Sequence, residues 1–157
     1  MNASRLWSAT IAILGIIVSS VLFYPTGVPR HMFPADSHLY ASILFVMVVA
    51  FTVLHSTLAS KRWPLELCCL IVVSPIAIIT TYLLYEYLYD RELLANGLKL
   101  VKPRQSSVEL IYLIGYLIGS PYTVFSAIFG GIAGAVMIGL DRWLKPLIVR
   151  LIRFDLN

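Results

Sequence analysis

The side chains in this chain that could move a proton, hold a metal or attack a substrate are few and far apart. His31, Asp36 and His38 stand in the order His-x-x-x-x-Asp-x-His. That spacing lacks the regularity of a helical zinc site and has no fourth ligand nearby, so it reads as two histidines in a polar loop. Glu86 and Asp90 lie one helical turn apart, but at the edge of an apolar block and beside Arg91. They read as partners of that arginine or of lipid headgroups rather than as an acid and base pair. His55 falls near the end of the second apolar block and reads as a packing histidine. Cys68 and Cys69 are adjacent, which suits neither a Cys-x-x-Cys redox pair nor a loop-closing disulfide. They read as two small apolar residues. No Gly-rich phosphate loop, nucleophile elbow or zinc motif occurs. These residues predict a non-enzymatic chain with no catalytic group, no metal ligands and no cofactor.

The elements that carry these residues are apolar. Hydrophobic residues make up 59% of the 157 and charged ones 13%, and the mean hydropathy is +0.86. This composition excludes an ordinary soluble domain. Four blocks nearly free of charge, residues 6–24, 39–58, 64–89 and 110–140, each reach the roughly 20 residues needed to cross a bilayer. The first is longer than a signal-peptide core and is followed by no Ala-x-Ala-like site, so it is expected to be a retained span. The expected fold is an all-α integral membrane protein forming one domain over 1–157. It is a four-helix transmembrane bundle followed by a C-terminal amphipathic interfacial helix at 142–154. In that tail Leu144, Leu147, Ile148, Leu151 and Ile152 oppose Arg142, Lys145, Arg150 and Arg153, a pattern suited to anionic membrane lipids.

Loop charges set the orientation. With both termini cytoplasmic, Arg5, Lys61, Arg62, Arg142, Lys145, Arg150 and Arg153 lie inside, against Arg30, Arg91, Lys99, Lys102 and Arg104 outside. Seven against five favours this arrangement, and it accounts for the basic pI of 9.2 without nucleic acid. The first outer loop, 25–37, is rich in proline. The second, 90–107, is the most polar stretch; Asn96-Gly97 signals a turn or a helix cap, and residues 98–102 alternate like a strand.

The fourth block carries a small or compact residue at every fourth position: Gly115, Gly119, Thr123, Ala127, Gly131, Ala135 and Gly139. Gly130 and Gly134 add a second Gly-x-x-x-Gly on an adjacent face. In hydrocarbon such rows let helices approach closely, so they are expected to be helix-packing surfaces, within this bundle or against a partner. Pro121 predicts a kink or break near Gly119-Ser120-Pro121. Tyr82, Tyr85 and Tyr89 share one face near the outer end of the third block, as interfacial anchors do.

Ser74-Pro75 inside a helix, Tyr82-Leu83, Glu92-Leu93 followed by Gly97, a short basic stretch and the run from Leu110 to Tyr116 together resemble the immunity proteins of pore-forming colicins, the colicin A type in particular. The likeness covers residues 70–116 and does not extend to the first half or the tail. The resemblance implies a four-span protein of the bacterial inner membrane. Such a protein binds the pore-forming domain of a toxin in the membrane before the channel opens. On that reading Tyr82, Tyr85, Tyr89, Glu92, Lys99, Lys102 and Arg104 face the arriving toxin and are the expected partner-binding residues. A non-catalytic accessory subunit of a larger membrane complex would need the same small-residue rows and stands as the alternative, with a second copy of the chain as a further partner class.

The charge count makes one prediction directly. A cysteine introduced at Lys61 should react only with membrane-permeant thiol reagents in intact cells, and labelling from the periplasmic side would overturn the orientation.

Overall fold

A computed structural model of the chain describes residues 3–23, 37–58, 62–97, 115 and 118–154. Four helices account for nearly all of them: α1 (Ala3–Phe23), α2 (Ser37–Leu58), α3 (Trp63–Ala95) and α4 (Pro121–Phe154). No strand occurs among the described residues. All four helices are long and apolar enough to cross a membrane. At 1.5 Å per residue α1 and α2 match a hydrocarbon core of about 30 Å, whereas α3 and α4, at about 50 Å, must extend beyond it.

Each helix packs on two neighbours, α1 on α2, α2 on α3, α3 on α4 and α4 back on α1. Cross-contacts set the directions. Trp7 meets Asp141 at one end of the α1–α4 pair and Phe23 meets Phe129 toward the other, with ring centroids 5.8 Å apart. Successive helices therefore run antiparallel, up, down, up, down. The buried faces follow helical spacing: Ser8, Ile11, Ala12, Gly15, Ile16 and Ser19 on α1, and Leu39, Ile43, Met47 and Phe51 on α2. Large apolar residues elsewhere point outward, among them Ile17, Phe45, Val72 and Val124, as lipid-facing positions do.

Three hydroxyls in this apolar setting bond to their own helix. Ser19 donates to the carbonyl of Gly15, Thr52 to that of Val48 and Thr81 to that of Ala77, at 2.6–2.8 Å. This satisfies each hydroxyl without a neighbour's help.

Helix ends follow local chemistry. Pro64 occupies the first turn of α3, where its missing N–H has no intrahelical acceptor in any case. At the other end Asn96 donates to the Glu92 carbonyl and Gly97 takes φ +72°, so the Asn96-Gly97 signal is a helix cap, since a side chain at that φ is disfavoured. The alternating residues 98–102 lie outside the described residues.

The last helix differs from expectation. Residues 142–154 are no separate tail but the final turns of α4, which runs unbroken past Pro146. The reason is packing: Leu140 and Leu144 continue the inward face against the core, so nothing ends the helix at Leu140. Its start is Pro121, after a bend at Ser120, with the Thr123 N–H bonded to the Ser120 carbonyl. Within 110–120 only Gly115 and residues 118–120 are described.

Close packing joins α4 to α3 and to α1. A Cβ placed at Gly130 would stand 2.5 Å from the Ser74 Cβ and 2.7 Å from the Leu70 carbonyl oxygen. At Gly134 it would meet Leu70 Cδ1 at 2.8 Å, and at Gly15 on α1 it would collide with Met137 Cγ. Gly130→Ala should therefore lower stability in mild detergent by about 1–3 kcal/mol, because the obstacle is backbone that cannot swing aside. Gly139→Ala, with no atom within 4 Å, is the control. Equal melting temperatures for both variants would contradict this account of the α3–α4 contact.

Candidate functional site: a polar cluster joining four helices

The buried row of α2 advances by four, Leu39, Ile43, Met47, Phe51, and its next member is His55. The buried row of α3 begins at Glu66 and continues through Leu70, Ser74, Ala77 and Thr81. His55 and Glu66 come together at one end of the core. His55 Nδ1 lies 2.5 Å from Glu66 Oε1, with the side chains 2% and 1% exposed. The two groups share one hydrogen bond. The other ring nitrogen, Nε2, faces Asp141 Oδ1 of α4 at 3.8 Å, within ion-pair range. Asp141 Oδ1 in turn accepts from the indole N–H of Trp7 on α1 at 2.6 Å. One residue from each of the four helices thus enters a single chain of contacts, Trp7–Asp141–His55–Glu66.

Burial decides what this arrangement does. A carboxylate left unpaired in an apolar bundle is severely destabilising, and two facing each other would also repel. His55 stands between them, with Nδ1 in hydrogen-bond contact with Glu66 and Nε2 within ion-pair distance of Asp141. The position of Glu66 in the first turn of α3 helps, since the positive end of the helix dipole favours a negative charge there. Glu66 Oε2 is buried with no hydrogen-bond partner among the described residues, and the same holds for Ser74 Oγ. Just outside the cluster, the Arg142 guanidinium lies 5.5 Å from the centroid of the Trp63 ring, a second polar link between α3 and α4 at this end. No group of three or more His, Cys, Asp or Glu among the described residues is arranged to hold a metal ion.

The residues singled out from sequence fall elsewhere. Gly130 and Gly134 face α3, and a Cβ placed at Gly131 would stand 3.3 Å from the Ile71 side chain. Cβ atoms at Gly115, Gly119 and Gly139 would meet nothing within 4 Å; Ala135 is exposed and Ala127 half-buried. Tyr82 and Tyr85 are partly buried against the core, while Tyr89 is exposed, as is Glu92 in the last turn of α3. Lys99, Lys102 and Arg104 lie outside the described residues, as do His31 and Asp36. Sequence reasoning overlooked Trp7, Glu66 and Asp141. The available signal was a period of four that runs through Phe51 into His55 on one helix and out of Glu66 on the next.

No protein-family model, no curated protein and no solved structure matches this chain.

The cluster makes a quantitative prediction. His55→Ala leaves the buried Glu66 carboxyl without its partner and should lower stability by about 3–5 kcal/mol. Trp7→Phe, which removes a single bond to a charged acceptor, should cost about 1.5–3 kcal/mol. Chemical denaturation in mild detergent measures both; a His55→Ala protein as stable as the parent would show that the cluster holds nothing together.

Proposed function

We propose that this protein is a non-catalytic, membrane-embedded binding protein whose partner is an apolar helical hairpin inserted by a pore-forming toxin, so that it acts as an immunity protein. The observation that carries this reading is a strip of α4 left open by the bundle. The Gly130 and Gly134 face is occupied by α3. The neighbouring face presents Val124 and Ile128, 60% and 46% exposed, then Ala135, also exposed, and Gly139, with open space where a Cβ would point. Apolar side chains beside small residues at helical spacing form a surface that another helix can approach closely in hydrocarbon. The likeness of residues 70–116 to colicin immunity proteins supplies the partner class. Binding is stoichiometric and blocks the toxin before its channel opens. Tyr89 and Glu92, with Lys99, Lys102 and Arg104 in the segment that follows α3, make the first encounter from the outer side of the bacterial inner membrane.

Cells expressing the protein should keep their membrane potential when challenged with the cognate pore-forming bacteriocin. The double variant Ala135→Leu, Gly139→Leu should lose protection while its melting temperature and membrane level stay at the parental value. Reversing the charge of Lys99 and Lys102 should also weaken protection at unchanged protein level. If depolarisation proceeds equally with and without the protein across a panel of such toxins, the immunity reading fails. Co-purification with subunits of a resident membrane complex would then establish the accessory-subunit alternative.

A further inference from the structure

The end of the bundle that holds the polar cluster has an unusual charge distribution. Both acids there, Glu66 and Asp141, are turned into the cluster and engaged by His55 and Trp7. The exposed charges left at this end, among the described residues, are all basic: Arg5, Arg62, Arg142, Lys145 and Arg150. The chain's three tryptophans, Trp7, Trp63 and Trp143, gather at the same end. Amphipathic indoles beside cations are what the headgroup layer of a bilayer selects. Measured along α4, Asp141 stands about 30 Å from the helix start at Pro121, so the turns after Asp141 would emerge near the end of a hydrocarbon core.

On those emerging turns a surface groove of about 300 Å³ is lined by Arg142, Trp143, Pro146, Leu147 and Arg150. Trp143 is 78% and Leu147 51% exposed, an apolar floor flanked by two guanidinium groups. Arg142 is held in place over Trp63 of α3. We infer that this groove is a binding site for an anionic phospholipid, its phosphate held by Arg142 and Arg150 and its upper acyl chain resting on Trp143 and Leu147. Charge complementarity selects the occupant. No exposed carboxylate stands at this end among the described residues to compete for the arginines, and a zwitterionic headgroup would bring its own cation against them. The apolar floor distinguishes a lipid from a free anion. Continuity of α4 is what makes the site: a tail detached from the bundle would not set Arg142 against Trp63.

Native mass spectrometry of the full chain in mild detergent tests this, with equimolar phosphatidylglycerol and phosphatidylcholine of matched acyl chains. Phosphatidylglycerol should be retained preferentially, and Arg142→Gln and Arg150→Gln should each reduce that retention roughly fivefold. Arg91→Gln, on the last turns of α3 at the opposite end, should leave it unchanged. Because Arg142 also touches Trp63, Arg150→Gln is the decisive variant if Arg142→Gln destabilises the fold. Equal retention of the two lipids, or an undiminished preference in Arg150→Gln, overturns the site. Displacement of phosphatidylglycerol by excess inorganic phosphate overturns it as well, by assigning the groove to a free anion.

Discussion

Two carboxylates inside an apolar bundle, Glu66 and Asp141, impose the constraint on which the rest of this structure depends. Glu66 cannot reach water without disturbing helix packing, Asp141 is largely enclosed beside it, and a carboxyl so enclosed needs a polar partner. The molecule answers with one imidazole, whose two nitrogens face one acid each, and one indole N–H. Because the four groups come from four different helices, satisfying the carboxylates and assembling the bundle become the same event. An interaction of this kind adds little over a well-packed apolar alternative, but it specifies which helices meet and in what register. That register sets Gly15 against Met137 and Gly130 against Ser74 farther along the bundle.

The remainder of the core needs no such device. The hydroxyls of Ser19, Thr52 and Thr81 return their protons to their own backbone one turn away, so at these positions the helices reach their neighbours as apolar surfaces. Close approach then depends on residue size. The α3–α4 contact is narrow because glycines stand where side chains would collide, and α4 carries enough small residues to serve α3 on one face while another stays open. A single helix can therefore hold the bundle together and still present a surface to a second membrane helix.

Much of the architecture was legible in the sequence because apolar blocks of this length leave few choices. Long charge-poor blocks predict helices, Pro64 places a helix start, and Asn96-Gly97 marks an end. The amphipathic pattern after Leu140 is real, but it does not mark a separate helix, since Leu144 on its apolar side still touches the core. The polar cluster was harder to read. His55, Glu66, Trp7 and Asp141 are dispersed along the chain, and a single charge near the edge of an apolar block has the same appearance whether it faces the headgroups or the core. Only the phase of the four-residue rows distinguishes the two, and that phase carries meaning once the helix ends are known.

A double-mutant cycle between Trp7→Phe and Glu66→Gln tests the central claim most directly, because these residues touch only through Asp141 and His55. If the cluster is one cooperative link, the two changes will be non-additive, with a coupling energy of about 0.5–3 kcal/mol in denaturation from mild detergent. Strict additivity would mean that the contacts are separate and that no shared polar link joins the four helices.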